Sequence, residues 1–122
     1  MKKIFIAILV CVFLSVGVLV CAGGTMNYSA VQTATANVLT GKGALYGILI
    51  ATDGTNAVTL DIYDGTDATG RKLGPQVVIT TSATNRSATI DFGESGVGFG
   101  TGIYVVATCA GTVGYTLYYE KN

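Results

Sequence analysis

Beyond residue 24 the sequence predicts an all-β fold, a single antiparallel β-sandwich of about seven or eight strands. Three observations predict it. No stretch after Gly24 places apolar residues at a helical period between caps. Thr, Val, Ile and Tyr, the residues that suit a pleated surface, dominate in short runs. Gly, Asn and Asp clusters interrupt those runs at close intervals, as turns between strands require.

The first line of the chain is of a different kind. Met1-Lys2-Lys3 precedes an apolar run from Ile4 to Val20 that ends in Cys21-Ala22-Gly23-Gly24. Basic residues, a greasy helix and then small residues make an export signal. Val20-Cys21-Ala22 suits the small-residue rule for cleavage after Ala22, with cuts after Gly23 or Gly24 as alternatives. Lipidation of Cys21 would need a small residue before it, and Val20 is not small. Retained as a helix at ~1.5 Å per residue, Ile4–Ala22 would span about 28 Å, close to the ~30 Å of a bilayer core. Residues 1–22 are therefore read as a signal peptide, or else as an uncleaved anchor and the only part touching a membrane. Residues 23–42 are an extended N-terminal segment, and 43–122 are the sandwich domain. The expected location is extracellular or at the cell surface.

Taken in order, Tyr28–Leu39 alternates loosely and predicts one or two weak edge strands. Ala44–Thr52 is apolar on both faces, with Tyr46, Ile48 and Ile50 on one and Leu45, Leu49 and Ala51 on the other, which marks a covered or central strand. Asp53-Gly54-Thr55-Asn56 predicts a tight turn, and Ala57–Tyr63 alternates with Val58, Leu60 and Ile62 inward. The two segments are expected to pair as a hairpin. Arg71–Leu73, Gln76–Thr81 and Ser87–Phe92 predict shorter strands, and Gly93–Gly100 a Gly-rich loop. Ile103–Thr108 and Val113–Glu120 close the chain, with Val113, Tyr115, Leu117 and Tyr119 on one face. Close spacing of this kind suits a jelly-roll type of sandwich, with a small closed barrel as the alternative.

Composition excludes several functions. The whole chain has seven basic and seven acidic residues. Lys2 and Lys3 belong to the signal, so five bases (Lys42, Arg71, Lys72, Arg86 and Lys121) face seven acids in the remainder, which is mildly acidic. No basic stripe exists to neutralise phosphates, which argues against nucleic-acid binding. Histidine is absent, and with it the usual general base and the commonest zinc ligand, so no enzyme activity is expected. Cys11 and Cys21 lie in the signal, leaving Cys109 without an internal disulfide partner. It reads as a small buried residue, with an intermolecular disulfide as the alternative. A surface of Thr, Ser, Asn and Gly has little self-repulsion, which suits a homo-oligomer or larger assembly.

Candidate sites are few, and no cofactor is expected. Asp61, Asp64 and Asp67 fall at regular spacing and could join Asp53 or Asp91 around a calcium ion, although Asp64-Gly65 equally makes a turn. Tyr63, Tyr104, Tyr115, Tyr118 and Tyr119 could form a platform for sugar rings, or simply fill sheet faces. Gly93–Gly100 resembles a phosphate loop but lacks the following helix.

Some of these runs carry a resemblance. Gly43-Ala44-Leu45-Tyr46-Gly47-Ile48-Leu49-Ile50, then Val58-Thr59-Leu60-Asp61-Ile62-Tyr63-Asp64-Gly65-Thr66 and Gly70, is similar to small single-domain proteins encoded beside phage structural genes. Gly100-Thr101-Gly102-Ile103-Tyr104-Val105, Gly111-Thr112-Val113 and the Tyr-rich ending also match. The resemblance implies a β-sandwich subunit that decorates or joins a virion surface. The export signal departs from that pattern and points to a filament, cell-surface layer or membrane-bearing virion. The expected function is thus an exported, non-enzymatic structural or assembly subunit, in which residues Gly23–Leu39 could add a strand to a neighbour. The alternative is a surface carbohydrate-binding module with a glycan partner.

Overall fold

The computed structural model of the protein describes residues 25–80 and 82–122. The export signal, its cleavage after Ala22 and its alternative as an anchor lie outside the described residues. These form ten β-strands and no helix. In chain order they are β1 (Asn27–Tyr28), β2 (Ala36–Thr40), β3 (Gly43–Thr52), β4 (Val58–Asp64), β5 (Arg71–Lys72), β6 (Val77–Ile79), β7 (Ser87–Asp91), β8 (Val97–Phe99), β9 (Gly102–Cys109) and β10 (Val113–Lys121).

The strands make two antiparallel five-stranded sheets. In the first the order is β1-β10-β3-β7, and in the second it is β2-β9-β4-β5. β8 also pairs with β3, below β7 on the edge that β10 leaves open. β6 pairs with β4 on the edge opposite β9, as β5 does. Two rows are thus broken, so ten strands stand where about seven or eight were expected. Gly74-Pro75 parts β5 from β6, because proline has no N–H for the ladder. A turn with Gly93 at φ 83° and Gly96 at φ 60° parts β7 from β8.

The chain changes sheet at β1/β2, β2/β3, β3/β4, β6/β7, β8/β9 and β9/β10. This corrects the expected hairpin. Asp53–Asn56 does turn sharply, with Gly54 at φ 80°, but it carries the chain from the first sheet to the second. β3 and β4 each send large apolar side chains to one face. Placed in opposite sheets, those faces bury each other, and the edges of both strands go to other partners.

One core lies between the sheets. Leu45, Ile48, Ile50, Tyr115 and Leu117 of the first meet Val58, Leu60, Ile62, Ile103 and Val105 of the second. Each such side chain contributes roughly 1.5–3 kcal/mol on burial. The Tyr115 hydroxyl donates to the Ala34 carbonyl at 2.7 Å, so the buried ring leaves no polar atom unmet. Phe99 is buried as well, which corrects the Gly93–Gly100 loop: its second half is β8, pinned by that ring.

The face assignment of β3 also needs correction. Its register against β10 shifts between Tyr118 and Tyr119, which pair with Gly47 and Leu45, so Tyr46 is the extra residue of a bulge. A bulge reverses the in–out alternation beyond it. Leu45 therefore points inward together with Ile48 and Ile50, and Tyr46 points outward. Segment 23–42 supplies β1 and β2, which pair within the chain on β10 and β9. Each is an edge strand with a single partner in the chain.

Candidate functional site

The bulge borders a concavity lined by Tyr46 and Gly47. It lies on the outer face of the first sheet, with a volume of about 370 Å³, and is lined by Met26, Tyr28, Tyr46, Tyr118, Asp91 and Glu94. Gly47 forms part of its floor. A Cβ at Gly47 would lie 2.7 Å from the Ile90 carbonyl oxygen and 3.2 Å from the Tyr118 ring, so only glycine lets that ring settle over β3. Tyr28 and Tyr118 face each other across β1 and β10, edge to face, with ring centroids 4.9 Å apart and planes at 82°. Their geometry is the one favoured by aromatic quadrupoles. Tyr46 donates its hydroxyl to Glu120 Oε2 at 3.1 Å, which fixes the third ring. That bond, with some desolvation and the nearby negative charge, raises the Tyr46 pKa.

The acids of the groove stand at its rim. Asp91 Oδ1 accepts the Gly93 amide at 2.7 Å, which shapes the turn after β7. The ion pairs among the described residues are Arg71–Asp64 and Lys72–Asp61, both away from the groove. The groove thus combines tyrosine rings, a thioether and carboxylates with no base.

The proposed sugar platform is not assembled as expected. Tyr115 is in the core, and Tyr119 packs against it. Tyr63 and Tyr104 pair across β4 and β9 on the outside of the second sheet, where Lys72 Nζ lies 5.6 Å from the Tyr63 ring. Only Tyr118 reaches the groove. Its companions Tyr28 and Tyr46 were missed. Sequence alternation put Tyr46 on the face of Ile48 and Ile50 because it cannot show a bulge, and Tyr28 meets Tyr118 only through pairing of the two ends of the chain.

The three candidate calcium ligands each have separate partners. Asp61 accepts from Lys72 Nζ at 2.7 Å and Gln76 Nε2 at 2.8 Å, and these bonds lower its pKa. Asp67 accepts from the hydroxyl and amide of Thr69 at 2.6 and 2.8 Å, which lowers its pKa too. Asp64 receives the amides of Gly100 and Thr101 at 2.9 and 2.8 Å and Arg71 at 3.5 Å. Desolvation alone would raise the Asp64 pKa, but the amides of Gly100, Thr101 and Gly102 outweigh it and bring it down. No group of three or more His, Cys, Asp or Glu that could hold a metal occurs among the described residues.

Asp53 acts at the opposite end of the sandwich. It accepts the amides of Asn56 and Thr55 at 3.0 and 2.8 Å, the Asn56 side chain at 2.9 Å and the Thr112 amide at 3.2 Å. These donors, the Asn56 amide foremost, hold its carboxyl far below the ordinary range. Asp53 clasps the β3/β4 crossing to the β9/β10 crossing, and Asp64 clasps the end of β4 to the β8/β9 crossing. Cys109 is half-buried against the core, and its Sγ accepts the Gly111 amide at 3.4 Å.

In comparisons with protein families, curated proteins and solved structures, the chain matches none.

Proposed function

We propose that the protein is an exported, non-enzymatic assembly subunit of jelly-roll type, which packs the outer face of its first sheet against a second copy. The observation that carries this reading is the character of that face. Leu49 and Val31 are exposed at 41% and 68%, and beside them lie Ala51, Gly114, Thr116 and Thr89, with no charge among them. The second sheet carries exposed Val78 but turns Asp61, Lys72 and Gln76 outward in a bonded polar set. Exposed apolar surface of this kind marks a protein contact.

Other features support the finer parts of the reading. Repeated crossing between sheets, with first and last strands side by side, supports the jelly-roll part of the reading. The Lys2-Lys3 run and the apolar segment after it support export. Absence of histidine supports a role without catalysis. The resemblance of the strand and turn runs to proteins encoded beside phage structural genes favours a particle or filament surface.

Light scattering with size exclusion tests the assembly. The wild-type protein is expected to run as an oligomer that grows with concentration, and Leu49→Lys to run as a folded monomer. A wild-type protein that stays monomeric at the highest soluble concentration would overturn the reading. Mass spectrometry of the protein recovered from its source tests export, with an N-terminus at residue 23, 24 or 25 as the expected result.

A further inference from the structure

We propose that the tyrosine groove beside the assembly face is a binding site for a methylated ammonium group. The groove lies toward the Tyr46–Tyr118 end of the same face and shares Thr89 with the assembly surface, but ligand binding is read on its own tyrosines, so it can fail or succeed separately from oligomerisation. Three observations carry it. The groove has the size of a small-molecule site, about 370 Å³. Its walls are the rings of Tyr28, Tyr46 and Tyr118 with Met26, and aromatic faces attract cations through their quadrupoles. Its charged residues are Asp91 and Glu94, with no basic partner for either among the described residues.

The same features select among ligands. A sugar needs several side-chain donors for its ring and hydroxyl oxygens, and this groove, with no Arg, Lys, Asn or Gln, supplies only the hydroxyls of Thr89 and the tyrosines, of which Tyr46 is already given to Glu120. A phosphate or carboxylate would meet like charge at the rim. A primary ammonium keeps its strong hydration, whereas a methylated one presents an apolar shell to the rings and still carries its charge to the carboxylates. Such a group occurs on free choline-like compounds and on methylated lysine side chains, and the recognising chemistry is shared.

The test uses protein produced from the whole sequence and ligand-observed NMR titration. Probes are choline, Nα-acetyl-trimethyl-lysine amide, the neutral isostere 3,3-dimethylbutan-1-ol and methyl glucoside. Choline or the trimethyl-lysine amide is expected to bind with Kd on the order of 1 mM or tighter, and which of them binds better identifies the source. The isostere should bind about tenfold more weakly, and Tyr28→Leu, which keeps apolar area but removes a ring face, should weaken binding about three- to tenfold. Asp91→Asn with Glu94→Gln should weaken it further and reduce its dependence on salt. Equal binding of the isostere, binding of the glucoside in preference to both cations, or no binding of either cation overturns the proposal. So does unchanged affinity in a Tyr28→Leu protein whose melting temperature matches wild type.

Discussion

At the scale of single residues, the fold depends on a few positions where backbone and carboxylate meet closely. A Cβ at Gly111 would collide with Asp53 Oδ2, so the Asp53 clasp requires glycine in the facing turn. Gly111→Ala is expected to destabilise the protein by roughly 1–3 kcal/mol, the usual cost of overpacking, as read from urea unfolding. The clasp also sets an acid response. The Asp53 carboxyl titrates lower in the folded chain than in the unfolded one, and Asp61, Asp64 and Asp67 shift in the same direction. Their contribution is complete above the unfolded carboxylate pKa of about 4 and is lost as pH falls through the lower folded values. Melting temperature should therefore drop between about pH 5 and about pH 2, across the carboxylate range. Asp53→Asn should melt lower at neutral pH and lose less on acidification. A wild-type melting temperature that is flat across this range would contradict the assignment.

Among the strands, the bulge in β3 has the widest consequences. It places Leu45 in the core and Tyr46 outside, and it leaves Gly47 as the only residue type that fits under Tyr118. Gly47→Ala should displace the Tyr118 ring or part Gly47 from its β7 partner Asp91, and so collapse the groove before it unfolds the sheet. The expected signature is loss of the Tyr28–Tyr118 contact in NMR spectra with the β-sheet circular dichroism retained. In β10, Tyr115 is buried, a burial that pushes its hydroxyl up to about 12, with the charge of Tyr104 a smaller cause. Tyr115→Phe removes its bond to Ala34 and should cost about 1 kcal/mol, measured by denaturant unfolding.

Over the whole molecule, stability rests on one core fed by both sheets, so the protein should unfold as a single cooperative unit. Ile48→Ala and Leu60→Ala, one from each sheet, are each expected to cost about 2–5 kcal/mol and to leave the transition cooperative. Two separate transitions by circular dichroism and tyrosine fluorescence would mean that the sheets do not share a core. The first and last strands lie side by side, and most pairing joins distant parts of the chain. Loop closure before such pairing is slow, and folding over milliseconds to seconds is expected by stopped-flow fluorescence.

Much of this was legible in the chain itself. Short alternating runs give the all-β structure and the shared faces of β4 and β10, because side-chain direction in a strand has a period of two. The turn at Asp53–Asn56 follows from local preferences of Asp, Asn and Gly. Tertiary structure alone decided which sheet each strand joined, because a turn motif is equally suited to a hairpin and to a crossing between sheets. It alone decided the bulge at Tyr46, which leaves no mark in the pattern of residue types. The groove followed from both, since Tyr28 and Tyr118 belong to opposite ends of the sequence and meet only when the core between two sheets closes.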